Sequence, residues 1–286
     1  MKRIIVAVLV SATVAVLGAE TAETAETEAP AARSDRWSSF LPLMAEEAYE
    51  RGYELPLPFG VGINFITLKR GIEVKDIKVS RNGNDLDVTD VIDVDATTYV
   101  DTLMARVDAW ILPFLNVYFM GGYLENTSAV DVTFTIPILP PGSTTNINVQ
   151  SGGDLTGSVW GGGIQLAAGY DEFFLMLDGN YVYSELDSLL DEVIQVAIYS
   201  ARTGWNGRFG NVPTRIWIGG MYWDADRTVK GTIGDLSFEV LQGPTNPFNL
   251  TLGTNVEISK EWSLFAEYAF NFEDLRMLAF GTGYRF

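Results

Sequence analysis

The sequence predicts an all-β fold: a transmembrane, antiparallel, up-and-down β-barrel of about ten strands. The main observation is a two-residue alternation, which segment 173–185 shows clearly. Phe173 and Leu175 fall on one face of a strand there, while Asp178 and Asn180 fall on the other. A soluble β-sandwich packs such apolar faces against each other, whereas a membrane barrel turns them toward lipid.

The length of the segments and the placement of aromatic residues favour lipid over a second sheet. The alternating segments are long enough to cross a bilayer obliquely, which takes about 9–11 residues of a strand. Aromatic residues gather at the segment ends, as in the interface belts of membrane barrels. The predicted strands are residues 59–69, 98–111, 114–124, 156–169, 173–185, 193–203, 213–224, 247–258, 262–271 and 276–286.

The connections between these strands sort by length onto two sides of the barrel. The short ones are 112–113, 170–172, 204–212 and 259–261, and they all fall on one side. The long ones are 70–97, 125–155 and 225–246, and they fall on the other. Short periplasmic turns and long outer loops are typical of bacterial outer-membrane barrels.

Two further segments leave a barrel of twelve strands as an alternative. Residues 130–138 alternate well, and 228–241 is the best candidate for the second pass that would keep both termini on one side. One face of 228–241 would place Lys230 against lipid, and a lysine at the bilayer midplane costs about 2–4 kcal/mol. We therefore interpret both segments as outer hairpins or strand extensions.

The N-terminal region has three predicted parts. Residues 1–19 have a basic tip, a short apolar run and small residues at the end, which indicates a signal peptide. Residues 20–35 repeat Ala, Glu and Thr without apolar periodicity, which indicates a disordered leader. Residues 36–56 begin with apolar residues at helical spacing, so they form either an amphipathic periplasmic segment that can plug the barrel or a loosely ordered stretch. The barrel domain then comprises 57–286.

The last nine residues, 278–286, resemble the terminal strand of bacterial outer-membrane β-barrel proteins. That strand typically ends on Phe after apolar residues at alternate positions; Phe280, Tyr284 and Phe286 match this pattern, and Thr282 departs from it. The resemblance implies that these three residues act as the assembly signal for the barrel-assembly machinery. It also implies a location in the bacterial outer membrane, among its lipids and lipopolysaccharide, and we expect both termini to be periplasmic.

Composition argues against several functions. The chain has no His and no Cys, whereas the barrel enzymes of the outer membrane (its phospholipase, the omptin proteases, the lipid A palmitoyltransferase and deacylases) depend on His as families. We therefore expect no enzyme, no catalytic residue and no cofactor.

A net charge of −18 argues against nucleic acid as a partner. The acidic residues between 85 and 95 lack the glycine and terminal Glu of an EF-hand, so a solvated loop is favoured over a metal site.

The inward faces carry the candidate functional residues. The predicted lumen-facing set is Arg106, Asp108, Asn116, Asp178, Asn180, Arg202, Glu257, Glu267 and Arg285. Charges inside a narrow barrel mostly pair with each other. Glycines at 161–163 and 219–220 are expected to permit bends or leave space for rings rather than to bind phosphate. The leading hypothesis is a small passive channel for small solutes, and the alternative is a non-conducting structural or surface-interaction (adhesin-like) barrel.

Overall fold

The computed structural model describes residues 40–50, 55–81, 84–87, 92–138, 143–187, 193–233 and 236–286. The predicted signal peptide and leader lie outside these residues. The elements are α1 (Ala45–Glu50), β1 (Phe59–Arg81), β2 (Asn84–Asp87), β3 (Ile92–Leu112), β4 (Leu115–Ile138), β5 (Ser143–Tyr170), β6 (Phe173–Leu186), β7 (Val193–Phe209), β8 (Val212–Asp224), β9 (Arg227–Ile233), β10 (Leu236–Pro244), β11 (Phe248–Glu257), β12 (Trp262–Phe270) and β13 (Arg276–Arg285).

Ten of the strands form a closed antiparallel wall, which confirms the predicted fold class. Its order is β1, β3, β4, β5, β6, β7, β8, β11, β12, β13 and back to β1. The seam between β13 and β1 pairs Gly60 with Arg285 at one end and Lys69 with Arg276 at the other. Because each wall strand is followed in the wall by the next one along the chain, the topology is up-and-down, as the alternation predicts.

The seam is continued by the last residue of the chain. The backbone N–H of Phe59 donates to the carbonyl of Phe286 (3.1 Å), and the N–H of Phe286 donates to the carbonyl of Phe59 (2.9 Å). The two rings stack on the outside with centroids 6.0 Å apart. Further along the seam, Phe280 packs against Phe65 at 5.2 Å. The outward rings of the terminal strand therefore cover the joint that closes the barrel.

Several strands continue well beyond the wall at the end of the barrel that carries the long connections, which we call the long-loop end. The opposite end, with the turns at 113–114, 171–172, 210–211 and 258–261, is the short-turn end. β4 and β5 have 24 and 28 residues and pair from Leu115–Leu166 up to Ile138–Ser143. A bilayer crossing needs only about 9–11 residues. The interpretation of 130–138 as a strand extension is thus confirmed.

The second ambiguous segment, 228–241, lies in a hairpin formed by β9 and β10. This hairpin follows β8 in sequence, yet β10 pairs with β1, from Pro244–Ile72 to Leu236–Arg81. β11, β12 and β13 separate β8 from β1 in the wall, so the hairpin reaches past the ends of these strands at the long-loop end. It adds no strand to the wall, which excludes the twelve-stranded alternative.

At the short-turn end one predicted boundary is wrong by more than one residue: β7 ends at Phe209, not at 203. The residues after 203 include Gly204, Asn206 and Gly207, a composition typical of a loop. They nevertheless continue the ladder with β8, where Gly204 pairs with Trp217. The absence of a side chain at Gly207 instead allows close packing of the Trp205 ring, with which a Cβ at that position would collide.

The two faces of the wall differ in exposure. In β6, outward Phe173 and Leu175 are exposed while inward Phe174 and Met176 are buried. Large exposed apolar side chains of this kind occur on every wall strand. A continuous apolar surface of this extent is compatible with a lipid environment and not with water. None of the helices in the described part of the chain has the length and hydropathy needed to span a membrane.

The segment before β1 lies at the short-turn end. The N–H of Leu43 donates to the carbonyl of Ile111 at the end of β3 (2.9 Å), and Ala45 at the start of α1 is buried. Phe40 and Met44 are 85 % and 57 % exposed, so these two side chains do not pack against the lumen lining.

Deleting Phe286 should slow insertion and lower the yield of folded barrel, because it removes both backbone hydrogen bonds at the end of the seam and one ring that covers it. Heat-modifiable migration on gels and outer-membrane yield measure this directly. Deletion of an exposed residue outside the seam, such as Lys260, is the control. Unchanged yield without Phe286 would contradict a role for this residue in assembly.

Candidate functional site

The candidate site is the barrel interior. The structure places all nine of the predicted lumen-facing residues on the inward face of the wall: Glu257 is half-buried and the other eight are buried. Most of them meet in a few hydrogen-bonded networks near the short-turn end. Several contacts in these networks join strands that are not neighbours in the wall.

The most deeply buried network joins β7 to β12 across the lumen. Arg202 donates through Nε to Glu267 Oε2 (2.7 Å) and through Nη2 to Glu267 Oε1 (3.0 Å), a bidentate pair. Trp217 Nε1 donates to the same carboxylate at 2.6 Å, and Arg202 Nη1 donates to Ser200 at 2.6 Å. Both charged side chains are almost completely excluded from solvent. These hydrogen bonds offset part of the desolvation cost of burying the two charges.

A second network joins β13, β3 and β4 at the short-turn end. Arg285 Nη1 donates to Asp108 Oδ2 at 3.0 Å, and Asn116 Nδ2 donates to the same oxygen at 2.7 Å. Arg106 Nη2 donates to Asn116 Oδ1 at 3.2 Å. The guanidinium carbon of Arg106 also lies 3.5 Å from the centre of the Tyr118 ring, a close cation–π contact.

Tyr118 links this network to β6. Its hydroxyl donates to the carboxylate of Asp178 at 2.9 Å, and Asn180 Nδ2 donates to the same group at 3.0 Å. The ring reaches β6 by passing over Gly163 of the intervening strand β5, where a Cβ would lie 2.5 Å from the Tyr118 hydroxyl. This glycine therefore leaves space for a ring, as the sequence indicates for the 161–163 cluster.

Two residues of the interior complete the charge pairing. Arg215 of β8 pairs with Glu257 of β11.

Trp217 was not among the predicted site residues, although its spacing from Arg215 places both on the inward face of β8. In sequence its apolar side chain is typical of a lipid-facing residue, so only the contact with Glu267 assigns it to the interior.

Toward the long-loop end the interior becomes mainly apolar, although the small polar side chains of Thr102 and Ser184 lie there too. The apolar inward side chains are at most 2 % exposed, and we call them the apolar layer: Ile66, Leu68, Val100, Met104, Met120, Leu124, Val159, Val182, Val196, Ile198, Met221, Trp223, Met277 and Ala279. The sequence predicts polar or small residues on the inward faces. That expectation is wrong for this half of the lumen, because side chains there pack against each other as in a soluble core.

Above the apolar layer, the long-loop end is held by Arg70, which is completely buried. Its Nη2 donates to the carbonyl of Asn246 at 2.8 Å, and its guanidinium carbon lies 4.1 Å from the Trp223 ring centre. Its Nε lies 3.9 Å from Asp274. Arg70 thus connects β1 with the segment before β11 and the turn before β13. We call Arg70 and these three partners the mouth latch.

In the described residues, no group of three or more acidic side chains is suited to hold a metal ion.

Gly163→Ala should lower the stability of the barrel by about 1–3 kcal/mol, because the new methyl group would overpack against Tyr118 and the carbonyl of Gly179. Gly220→Ala is the matched control, since a Cβ there has only the carbonyl of Asn249, 4.0 Å away, as a neighbour. Urea unfolding in lipid vesicles measures both variants. Equal stability of the two would show that Tyr118 can shift freely, contrary to its fixed place in the network.

No protein-family model and no curated protein sequence matches this chain. Among solved structures, the chain is similar to the outer membrane protein OprG from Pseudomonas aeruginosa, with 10% identity, 81% of this chain and 98% of that chain covered, and a TM-score of 0.41. It is also similar to the translocator domain of the autotransporter NalP from Neisseria meningitidis, with 12% identity, 84% of this chain and 93% of that chain covered, and a TM-score of 0.37. For the β domain of the Bordetella autotransporter BrkA the identity is 12%, 79% of this chain and 98% of that chain are covered, and the TM-score is 0.35. The closed wall and its apolar outer face make this chain a transmembrane antiparallel β-barrel of the outer-membrane type.

Proposed function

We propose that this chain is a non-conducting outer-membrane barrel that anchors an extended β-sheet at the cell surface, with both termini in the periplasm. The observation that carries the proposal is the apolar layer. Its side chains meet in the lumen and leave almost no solvent-accessible surface. A packed apolar constriction excludes hydrated ions, since ions there would lose their hydration without gaining polar ligands.

Opening this lumen to water would cost free energy, because apolar side chains would be exposed. Exposing one large apolar side chain to water costs about 1.5–3 kcal/mol, and the layer contains several. The Arg202–Glu267 pair crosses the lumen below the layer, and the mouth latch lies above it. A conducting path would have to rearrange all three levels.

The part of the molecule that is free to act is the sheet beyond the wall. β5 pairs with β6 only from Gly157 onward, whereas its pairing with β4 begins at Ser143. The carbonyl of Thr156 also accepts from the N–H of Asp187 (2.8 Å). Among the described strands, residues 143–155 therefore have a neighbour on one side only. An open strand edge offers unpaired N–H and C=O groups, which an extended peptide can join as an added strand. This edge supports the surface-interaction role.

A passive channel for small solutes is the second candidate. The polar networks of the short-turn half favour it, because a lumen that never holds water would not require charged side chains. In that case the β9–β10 hairpin would have to move away from β1 to open the mouth.

The refolded chain should give no stepwise currents in planar bilayers. Met104→Ala, Met120→Ala and Met277→Ala combined should produce small, brief openings, because all three side chains belong to the apolar layer. The matched control combines Leu103→Ala, Leu175→Ala and Leu278→Ala, which face lipid and should leave the bilayer silent. Regular stepwise currents from the unmodified chain would overturn the proposal in favour of the channel.

The orientation is tested on intact cells. An epitope tag between β4 and β5 should be accessible to antibody, and a tag at Lys260, in a turn of the short-turn end, should be accessible only after the outer membrane is permeabilised. Labelling of the Lys260 tag on intact cells would contradict the periplasmic placement of the short turns and termini.

A further inference from the structure

We infer that the short-turn end of the lumen contains a binding site for a halide ion, chloride under physiological conditions. The site is a small cavity enclosed by β1, β3, β8, β11, β12 and β13, and its volume is about 30 Å³. A buried water molecule needs about 10–15 Å³ of such space, so the cavity suits an occupant of one or two water volumes and is too small for a phosphate or an organic solute.

Unused hydrogen-bond donors line this cavity. Arg106 and Asn64 are 2 % and 3 % exposed, and both contribute to the lining. Arg106 Nε and Nη1 and Asn64 Nδ2 make no hydrogen bond with any described protein group. A buried donor without a partner costs about 1–3 kcal/mol, more when it is charged, so a missing acceptor is expected at this position.

The charge of Arg106 is the reason to expect an anion rather than water. Its nearest carboxylate oxygen, Asp108 Oδ1, lies 3.8 Å from Nε, beyond hydrogen-bond length. Asp108 already accepts hydrogen bonds from Arg285 and Asn116. The other carboxylate in the lining, Glu257, is paired with Arg215. The lining therefore holds three guanidinium groups and two carboxylates, an excess of one positive charge at the cavity itself. The further carboxylate that acts on Arg106, Asp178, lies outside the lining, where Tyr118 and Asn180 donate hydrogen bonds to it.

Glycines make the space for the ion. Gly60, Gly62 and Gly283 line the cavity, and a Cβ on Gly60 would lie 2.5 Å from Asp108 Oδ1. At Gly283 a Cβ fits without collision, with Ser263 Oγ at 3.4 Å as its nearest neighbour. A methyl group at this position would thus occupy the cavity while every charged side chain stays in place.

The experiment measures the thermal unfolding midpoint of the refolded full chain in vesicles at constant ionic strength, as sodium chloride replaces sodium gluconate. The midpoint should rise by about 3–5 °C for each tenfold increase of chloride above its Kd. Gly283→Ala should abolish this dependence, and Gly220→Ala, the same substitution on the lipid-facing side, should retain it. Equal chloride dependence of all three proteins would mean a bulk salt effect and would overturn the site.

Crystals grown in bromide give an independent measurement. An anomalous peak within hydrogen-bond range of Arg106 and Asn64 is the expected result, and density for water alone would overturn the proposal. Neither measurement depends on whether the barrel conducts, so failure of the halide site leaves the proposed surface role unaffected.

Discussion

The seam between β1 and β13 is the constraint on which the rest of the molecule depends. In the hydrocarbon core of a membrane no water is present to satisfy backbone N–H and C=O groups, so a sheet is viable there only when its first and last strands pair. The ladder from Gly60–Arg285 to Lys69–Arg276 provides that pairing, and the two hydrogen bonds between Phe59 and Phe286 extend it to the end of the chain. Once the wall is closed, each strand has one face toward lipid and one toward an enclosed lumen.

A ten-stranded wall encloses a lumen narrow enough to be filled by side chains, and this chain fills it in two ways. Near the short turns the filling is polar, and each carboxylate there accepts hydrogen bonds from side chains of other strands. The Arg202–Glu267 pair illustrates why: either charge alone would be strongly destabilising at this depth, whereas together with Trp217 and Ser200 they form a satisfied network. Near the long loops the filling is mainly apolar, and burial and packing contribute most of its stability.

This division of the interior has a functional consequence. The polar half is where water or small ions can reside, and the proposed halide cavity lies within it. The apolar half, together with the mouth latch at Arg70, separates that region from the long-loop end. The long strands above the latch are thereby supported on a rigid base, which suits a role in presenting a sheet edge rather than in transport.

The sequence by itself determined the elements and their faces. Alternation located the ten wall strands and placed residues such as Arg202 and Glu267 on inward faces, because side-chain direction along a strand has a period of two. It also identified 130–138 and 228–241 as segments outside the wall, since Lys230 is incompatible with lipid.

Only the tertiary structure decided which inward residues meet. Arg202 and Glu267 are 65 residues apart, and their contact depends on the height and rotation of each strand around the barrel, which periodicity does not contain. The apolar layer escaped prediction because Met120 and Val182 each lie beside outward aromatic residues, so both faces of the strand are apolar there. Hydropathy does not distinguish lipid from a packed lumen. The pairing of β10 with β1 likewise arises from the three-dimensional closure of the wall, which brings the end of β1 within reach of a hairpin more than 150 residues later in the chain.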